Sequence, residues 1–155
     1  PVEILETKYP FIVENYRLRP DSAGAGRWRG GLASSRVFRV TAPEITVNAL
    51  FDRTRTHGPG IFGGGEGASS GIFIKRPGDE GFRRFSETFG TVSDSKFTRV
   101  PVTEGDLIQL DSAGGGGLGD PRERPRELVA EDIRQGFISA AAAREHYGYD
   151  GGEEA

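Results

Sequence analysis

The chain has no cysteine, which removes disulfides, thiolate nucleophiles and thiolate metal ligands at once. Its stability must come from packing. Histidine occurs only twice, and zinc asks for three or four protein ligands, so a metal site contained in these residues is not expected. No stretch approaches the ~18–20 apolar residues of a membrane-spanning helix. The opening Pro1-Val2-Glu3-Ile4-Leu5-Glu6 is too charged for a signal peptide. These absences predict a soluble, cytoplasmic protein. Methionine is missing too; of processing, trimming and excision from a longer product, the start at Pro1 fits the last.

Charge of one sign is also in short supply. A net charge of -3 gives no footing for nucleic acid or for an anionic membrane, both of which call for a basic excess. The imbalance is local: residues 1–100 hold 15 Lys and Arg against 11 Asp and Glu, and residues 101–155 hold 5 against 12. Arg outnumbers Lys 17 to 3, which suits planar, multi-bonded contacts at interfaces and equally follows from a coding bias.

What is abundant is glycine, at 24 of 155 residues. The length suits one core, and the glycines read as punctuation in a folded domain. Between them lie short β-leaning runs: 11–19, 35–40, 45–51, 71–75, 81–85, 97–102 and 106–110. The runs on either side of Ala42-Pro43 look like an antiparallel pair, and Pro77-Gly78-Asp79-Glu80 looks like a hairpin connection. After Pro125 the pattern turns helical. Leu128, Val129 and Ile133 share a face, Glu127, Glu131, Asp132 and Arg134 are left for solvent, and Gly136 stops the helix. A second helix fits Ala140 to His146, capped by Ser139 and ended by Gly148. The expectation is a mainly β fold, an antiparallel β-sandwich or barrel of about seven strands with two short C-terminal helices. Its divisions are a glycine-rich β domain over 1–124, a helical extension over 125–148 and a frayed tail over 149–155.

Reactive side chains are few. Gly63-Gly64-Gly65-Glu66-Gly67 and Gly114-Gly115-Gly116-Gly117 could cradle an anion on backbone amides, but neither has P-loop or dinucleotide-binding context, and a structural role is the plainer reading. The polar loop Asp52-Arg53-Thr54-Arg55-Thr56-His57-Gly58-Pro59-Gly60 is the best candidate to face a substrate or partner. From these segments Asp52, Arg53, Arg55, His57, Gly63, Gly64, Gly65, Gly115 and Gly116 are singled out as partner- or substrate-facing. No catalytic or metal-ligating residue is assigned. Ser22, Ser34, Ser35, Ser69 and Ser70 lack a nucleophile-elbow context. Asp79 with Glu80, and Asp106 with Asp111, fall at turns and strand ends, where solvation alone accounts for carboxylates. His146 reads as a helix-end cation. Trp28, flanked by Arg27 and Arg29, is either a stacking or interface anchor or a plug for one end of the β core.

Five segments in this order resemble the C-terminal part of the B-type subunit in the family of ATP-dependent hydantoinase, 5-oxoprolinase and acetone or acetophenone carboxylase. They are Pro1 to Glu6; Tyr16-Arg17-Leu18-Arg19-Pro20-Asp21-Ser22-Ala23-Gly24-Ala25-Gly26-Arg27-Trp28-Arg29-Gly30-Gly31; Phe62 to Gly67; Gly114-Gly115-Gly116-Gly117-Leu118-Gly119-Asp120-Pro121; and Ala141-Ala142-Ala143-Arg144-Glu145-His146-Tyr147-Gly148. The resemblance implies activation of a cyclic amide or carboxyl group with ATP. It places ATP with Mg on an A-type partner, a further metal as an open option in the partner subunits, and no cofactor on this chain. The partners it implies are the A-type subunit and the remaining B-type subunits. Leu118 and Asp111-Ser112-Ala113 depart from the family's usual residues. The expected role is a structural and interface domain, or a separately encoded small subunit, of such an amidohydrolase or carboxylase. The rivals are a stand-alone β-sandwich module binding a small anion and, last, an autonomous hydrolase.

Overall fold

The computed structural model describes residues 1–151; the part of the expected frayed tail that falls on 152–155 lies outside them. The chain divides into two compact units that alternate along the sequence. The first takes Pro1–Arg17, Ser35–Thr54 and Ser70–Ser112, and the second takes Leu18–Ser34, Arg55–Ser69 and the residues from Ala113 onward.

The first unit holds α1 (Val2–Lys8), β1 (Phe11–Leu18), β2 (Ser34–Val40), β3 (Glu44–Leu50), β4 (Gly71–Lys75), β5 (Arg83–Arg84), α2 (Phe85–Phe89), β6 (Lys96–Thr103) and β7 (Leu107–Asp111). One sheet has the order β1-β2-β7-β4-β5 and a second pairs β3 with β6. The seven strands run in antiparallel sheets, as expected, and do not close into a barrel.

The strands flanking Ala42-Pro43 do not pair with each other. β2 pairs with β7, Arg36 facing Leu110, and β3 pairs with β6, Ile45 facing Val102. The end of β2 is already saturated: Val40 N–H donates to Asp106 O and Val40 O accepts from Gly105 N–H, both at 3.0 Å. Non-local partners thereby take the ladder bonds that a local hairpin would have used. The β4–β5 hairpin forms, but only Phe73 with Arg84 and Ile74 with Arg83 pair across it. The chain then turns into α2, where the Glu87 carboxylate accepts the Arg84 N–H at 3.1 Å and Gly90 ends the helix at φ +67°.

Strict alternation fails in β6, because Phe97 and Val100 are three apart and both buried. A bulge explains it. The register slips between Val47 and Ala49, Arg99 takes φ +58°, and its N–H donates to Asn48 Oδ1 at 2.9 Å. The extra residue returns both apolar side chains to the core formed by Val40, Ala49, Ile72, Ile74, Phe85, Phe97, Val100, Val102 and Ile108. Asp106 and Asp111 are buried rather than solvated. Asp106 Oδ2 accepts from Thr103 N–H at 2.9 Å and from Thr103 Oγ1 at 3.2 Å, closing the turn into β7 from within.

The second unit holds a 3-10 turn (Pro121–Glu123), α3 (Arg126–Arg134) and α4 (Ala140–Tyr147). Ser139 Oγ accepts the Ala142 N–H at 3.1 Å and Gly148 ends α4 at φ +60°, both as the sequence predicts. On α3 Val129 is buried, whereas Leu128 is exposed. Asp132, expected in solvent, is buried. Position 132 lies one helical turn from Val129, so it shares that inward face. The core of this unit is Ala25, Val129, Ile138, Ala143 and Tyr147.

Candidate functional site

Most of the sequence-predicted site residues fall in the second unit, in or beside a layer built almost without side chains. Three segments, 22–31, 58–68 and 113–119, lie side by side outside any helix or named strand. Their backbones bond in rotation. Gly24 N–H donates to Gly115 O at 2.8 Å, Gly65 N–H to Ala25 O at 2.7 Å, and Gly117 N–H to Gly65 O at 2.9 Å. Gly115 and Gly114 donate in turn to Gly31 O and Ala68 O, each at 2.9 Å.

Space, not dihedral freedom, demands these glycines. Of this group only Gly63 and Gly119 have positive φ. A Cβ on Gly114 would stand 1.8 Å from Ser22 O, on Gly117 1.9 Å from Ala25 O, on Gly116 2.0 Å from Pro59 O, and on Gly64 2.1 Å from Gly117 O. Every obstacle is backbone, which cannot rotate aside. The runs are therefore the mutual packing surfaces of three chain segments. Gly64, Gly65 and Gly115 donate their amides to carbonyls of the chain. Gly63 and Gly115 are exposed, and Gly116 is half-buried.

Ser22 locks one margin of the layer. Its hydroxyl donates to Arg19 O at 2.5 Å and accepts the Ala33 N–H at 2.8 Å. His57 locks another: its exposed ring places Nδ1 2.9 Å from Gly67 O, and since a carbonyl can only accept, Nδ1 carries the proton. Arg55 is exposed in the same unit. Asp52 and Arg53 belong to the first unit. There Asp52 O accepts from Ser70 Oγ at 2.5 Å, Arg53 O accepts from Ser70 N–H at 3.0 Å, and Arg53 takes φ +58°. The predicted set is thus divided between the two units.

A buried ionic cluster anchors α3 to the layer. Asp132 accepts from Arg29 Nε at 3.0 Å and Nη2 at 3.3 Å, and from Arg124 Nη2 at 2.9 Å. The Arg124 and Asp132 side chains are 9% and 6% exposed, so solvent screens little of this. The two guanidiniums are further held by Gly30 O at 2.8 Å and Arg27 O at 3.2 Å, and Arg29 lies 5.4 Å from the centre of the Phe137 ring. Tyr147 is buried nearby; burial pushes its hydroxyl above the ordinary 10.0, against the pull of Arg124 and a hydrogen bond with the Gly26 backbone. Sequence reasoning missed this cluster. The available signal was an acidic residue at helical spacing from Val129, together with the arginines flanking Trp28.

Trp28 does not plug the β core, since its ring is largely exposed and its segment belongs to the second unit. Among the described residues no three His, Asp or Glu side chains converge in a metal-holding group. No helix among them is long and apolar enough to cross a membrane.

Comparison with known proteins locates this architecture. The family model described as Hydantoinase B/oxoprolinase matches residues 1–121. The beta subunit of the caprolactamase of Pseudomonas jessenii is 30% identical over 148 residues, covering 95% of this chain and 24% of that protein. The acetophenone carboxylase delta subunit of Aromatoleum aromaticum is 26% identical over 94% of this chain and 24% of its own length. The crystal structure of the ATP-dependent caprolactamase from Pseudomonas jessenii shares the fold with a TM-score of 0.77 at 24% identity, over 100% of this chain and 26% of that one. The chain spans about a quarter of the length of these relatives.

Proposed function

Because this chain belongs to the hydantoinase B/oxoprolinase family, we propose that it is a structural and interface-forming part of an ATP-dependent enzyme. That part is a domain or separately encoded small subunit, and the enzyme opens a cyclic amide in the manner of a hydantoinase or carboxylates a ketone. The observation that carries the reading is the second unit's construction. Its glycine segments are spent on backbone packing, and the buried carboxylate of Asp132, on α3 beyond the family-matched residues, is consumed by two arginines.

The residues present do not fit a catalytic metal, because Asp132 is fully engaged and no other carboxylates or imidazoles gather beside it among the described residues. In this reading ATP with Mg, and any further metal, sit on the A-type and remaining B-type partners, in the cytoplasm. Asp52, Arg53, Arg55, His57 and the glycine loops contribute contact surface. The rival, a free module that captures a small anion on the glycine loops, has less in its favour, since the amides of Gly64, Gly65 and Gly115 already have acceptors.

Native mass measurement of the purified assembly tests the proposal: a complex with larger partners is expected, with ATP-dependent turnover belonging to the complex. A stable monomer without partners, or turnover of a hydantoin by the isolated chain, defeats it. Calorimetry with bicarbonate, carboxylates and nucleotides addresses the rival, which predicts tight binding by this chain alone.

A further inference from the structure

Four large apolar residues are left uncovered on the glycine layer, three of them joined main chain to main chain and Phe62 following Ile61 directly in sequence. Trp28, Ile61, Phe62 and Leu118 are 60%, 57%, 86% and 38% exposed. Their grouping is imposed by the backbone. Trp28 and Leu118 exchange both main-chain bonds, at 3.0 and 2.9 Å, and Ile61 flanks Leu118 on a second bridge, donating to Gly117 O and accepting from Gly119 N–H at 3.0 Å each. The layer behind them is mostly glycine, whose backbones already pack against one another and leave little room to repack. Arg27 and Glu123 form a charged rim 3.7 Å apart.

Phe62 adds a second, independent observation. It takes φ +51°, a region disfavoured for a bulky residue, and its ring is almost wholly in solvent. Backbone strain of this kind persists where something over-determines it, and no burial inside this chain offsets it. The strain holds an aromatic ring outward.

We propose that this platform is the docking hot spot for an apolar surface on the remaining three-quarters of a family B-type chain. The inference rests on the preceding reading of the chain as part of a larger enzyme. Rings and branched chains of these sizes, at these exposures, present roughly 500 Å² of apolar surface. A free-standing pair needs about 800 Å² from each partner, so a second copy of this chain would be held poorly by the platform alone. A central cluster of Trp, Phe and aliphatic side chains inside a polar rim is instead how the energetic centre of a broader interface is built. All four residues lie within the family-matched residues 1–121, and the caprolactamase beta subunit matches this chain over only 24% of its own length. The occupant is therefore an uncharged, aliphatic-lined recess on the portion those relatives have beyond the match, shaped to take the Phe62 and Trp28 rings.

Carbene-footprinting mass spectrometry tests this on the isolated 155-residue chain and on the assembly purified after co-expression with its neighbouring reading frames. Trp28, Ile61, Phe62 and Leu118 should label readily in the isolated chain and lose most of that labelling in the assembly, while exposed Val92 stays reactive. An assembly in which the platform labels as it does in isolation overturns the inference and leaves the proposed function standing. If no assembly forms, the proposed function fails and this inference with it. Self-association of the isolated chain with the platform protected also overturns it, in favour of a second copy. The variant Phe62→Gly separates docking from folding. Relief of the positive φ should leave the melting temperature unchanged or raise it, whereas association should weaken at least ~10-fold; unchanged association would sink the proposal.

Discussion

Arg124 and Asp132 meet through Nη2 and Oδ2 at 2.9 Å, with Arg29 grasping the same carboxylate, so one buried anion is shared by two largely buried cations. Such a cluster is asymmetric in its response to mutation. Removing Asp132 strands both guanidiniums in a desolvated site, whereas removing one arginine leaves a matched pair.

Asp132→Ala should accordingly cost about 3–5 kcal/mol of unfolding free energy. Arg124→Met, which keeps bulk and leaves the Arg29 contact, should cost clearly less. Urea unfolding of both variants decides it, and equal losses would show that the charge balance at Asp132 does not govern this site.

The glycine layer predicts a contrast between two alanine substitutions. At Gly117 the new methyl would sit 1.9 Å from Ala25 O, and at Gly31 nothing lies within 4 Å. Gly117→Ala should lose ~3 kcal/mol or fail to fold, as overpacking against immovable backbone does. Gly31→Ala should stay within ~0.5 kcal/mol of the parent or gain slightly from a stiffer unfolded chain. Thermal melts of the two proteins side by side make the comparison.

Asp94 links stability to acid. The Ser86 hydroxyl bonded to it, joined by Arg84 at 2.9 Å, holds its carboxyl below the ordinary 3.8 despite some burial. A depressed folded value means the stabilisation is complete above 3.8 and drains away as pH falls through the lower, folded value. Asp94→Asn should flatten the stability–pH curve below about pH 4 relative to the parent. Denaturant midpoints taken from about pH 5 downward test it, and parallel curves would refute the assignment.

Tyr147 supplies the alkaline counterpart. Burial raises its hydroxyl above 10.0, so the folded state resists forming the phenolate. Stability from this source is intact below 10.0 and is lost as pH rises from there through the folded value. Tyr147→Phe should show a shallower decline above pH ~10. Ultraviolet absorbance titration of the native protein provides a direct check, since a phenolate component absent from Tyr147→Phe should appear above 10.0.

The seven strands and both C-terminal helices were legible because they rest on local physics. Period-2 alternation in β3, the Ser139 cap and the Gly148 stop each operate over a few residues. The sequence was also sufficient for the family resemblance and for the scarcity of reactive groups. α1 and α2 went unseen because helices of seven and five residues carry too few turns for periodicity to emerge.

Partnership was decided by tertiary structure. No local signal tells β2 to pair with β7 in place of β3, because register and partner follow from which ladder bonds are already taken and which apolar faces must meet. Nor does a run of glycines announce whether it will turn, bind an anion or pack against two other runs. Here three segments distant in sequence exclude one another's side chains, a condition that exists only once all three are in place. The same holds for Asp132 and for the platform of Trp28, Ile61, Phe62 and Leu118. Composition determined which groups this protein possesses; burial and close approach, which are properties of the assembled chain, determined which of them are spent internally and which face outward.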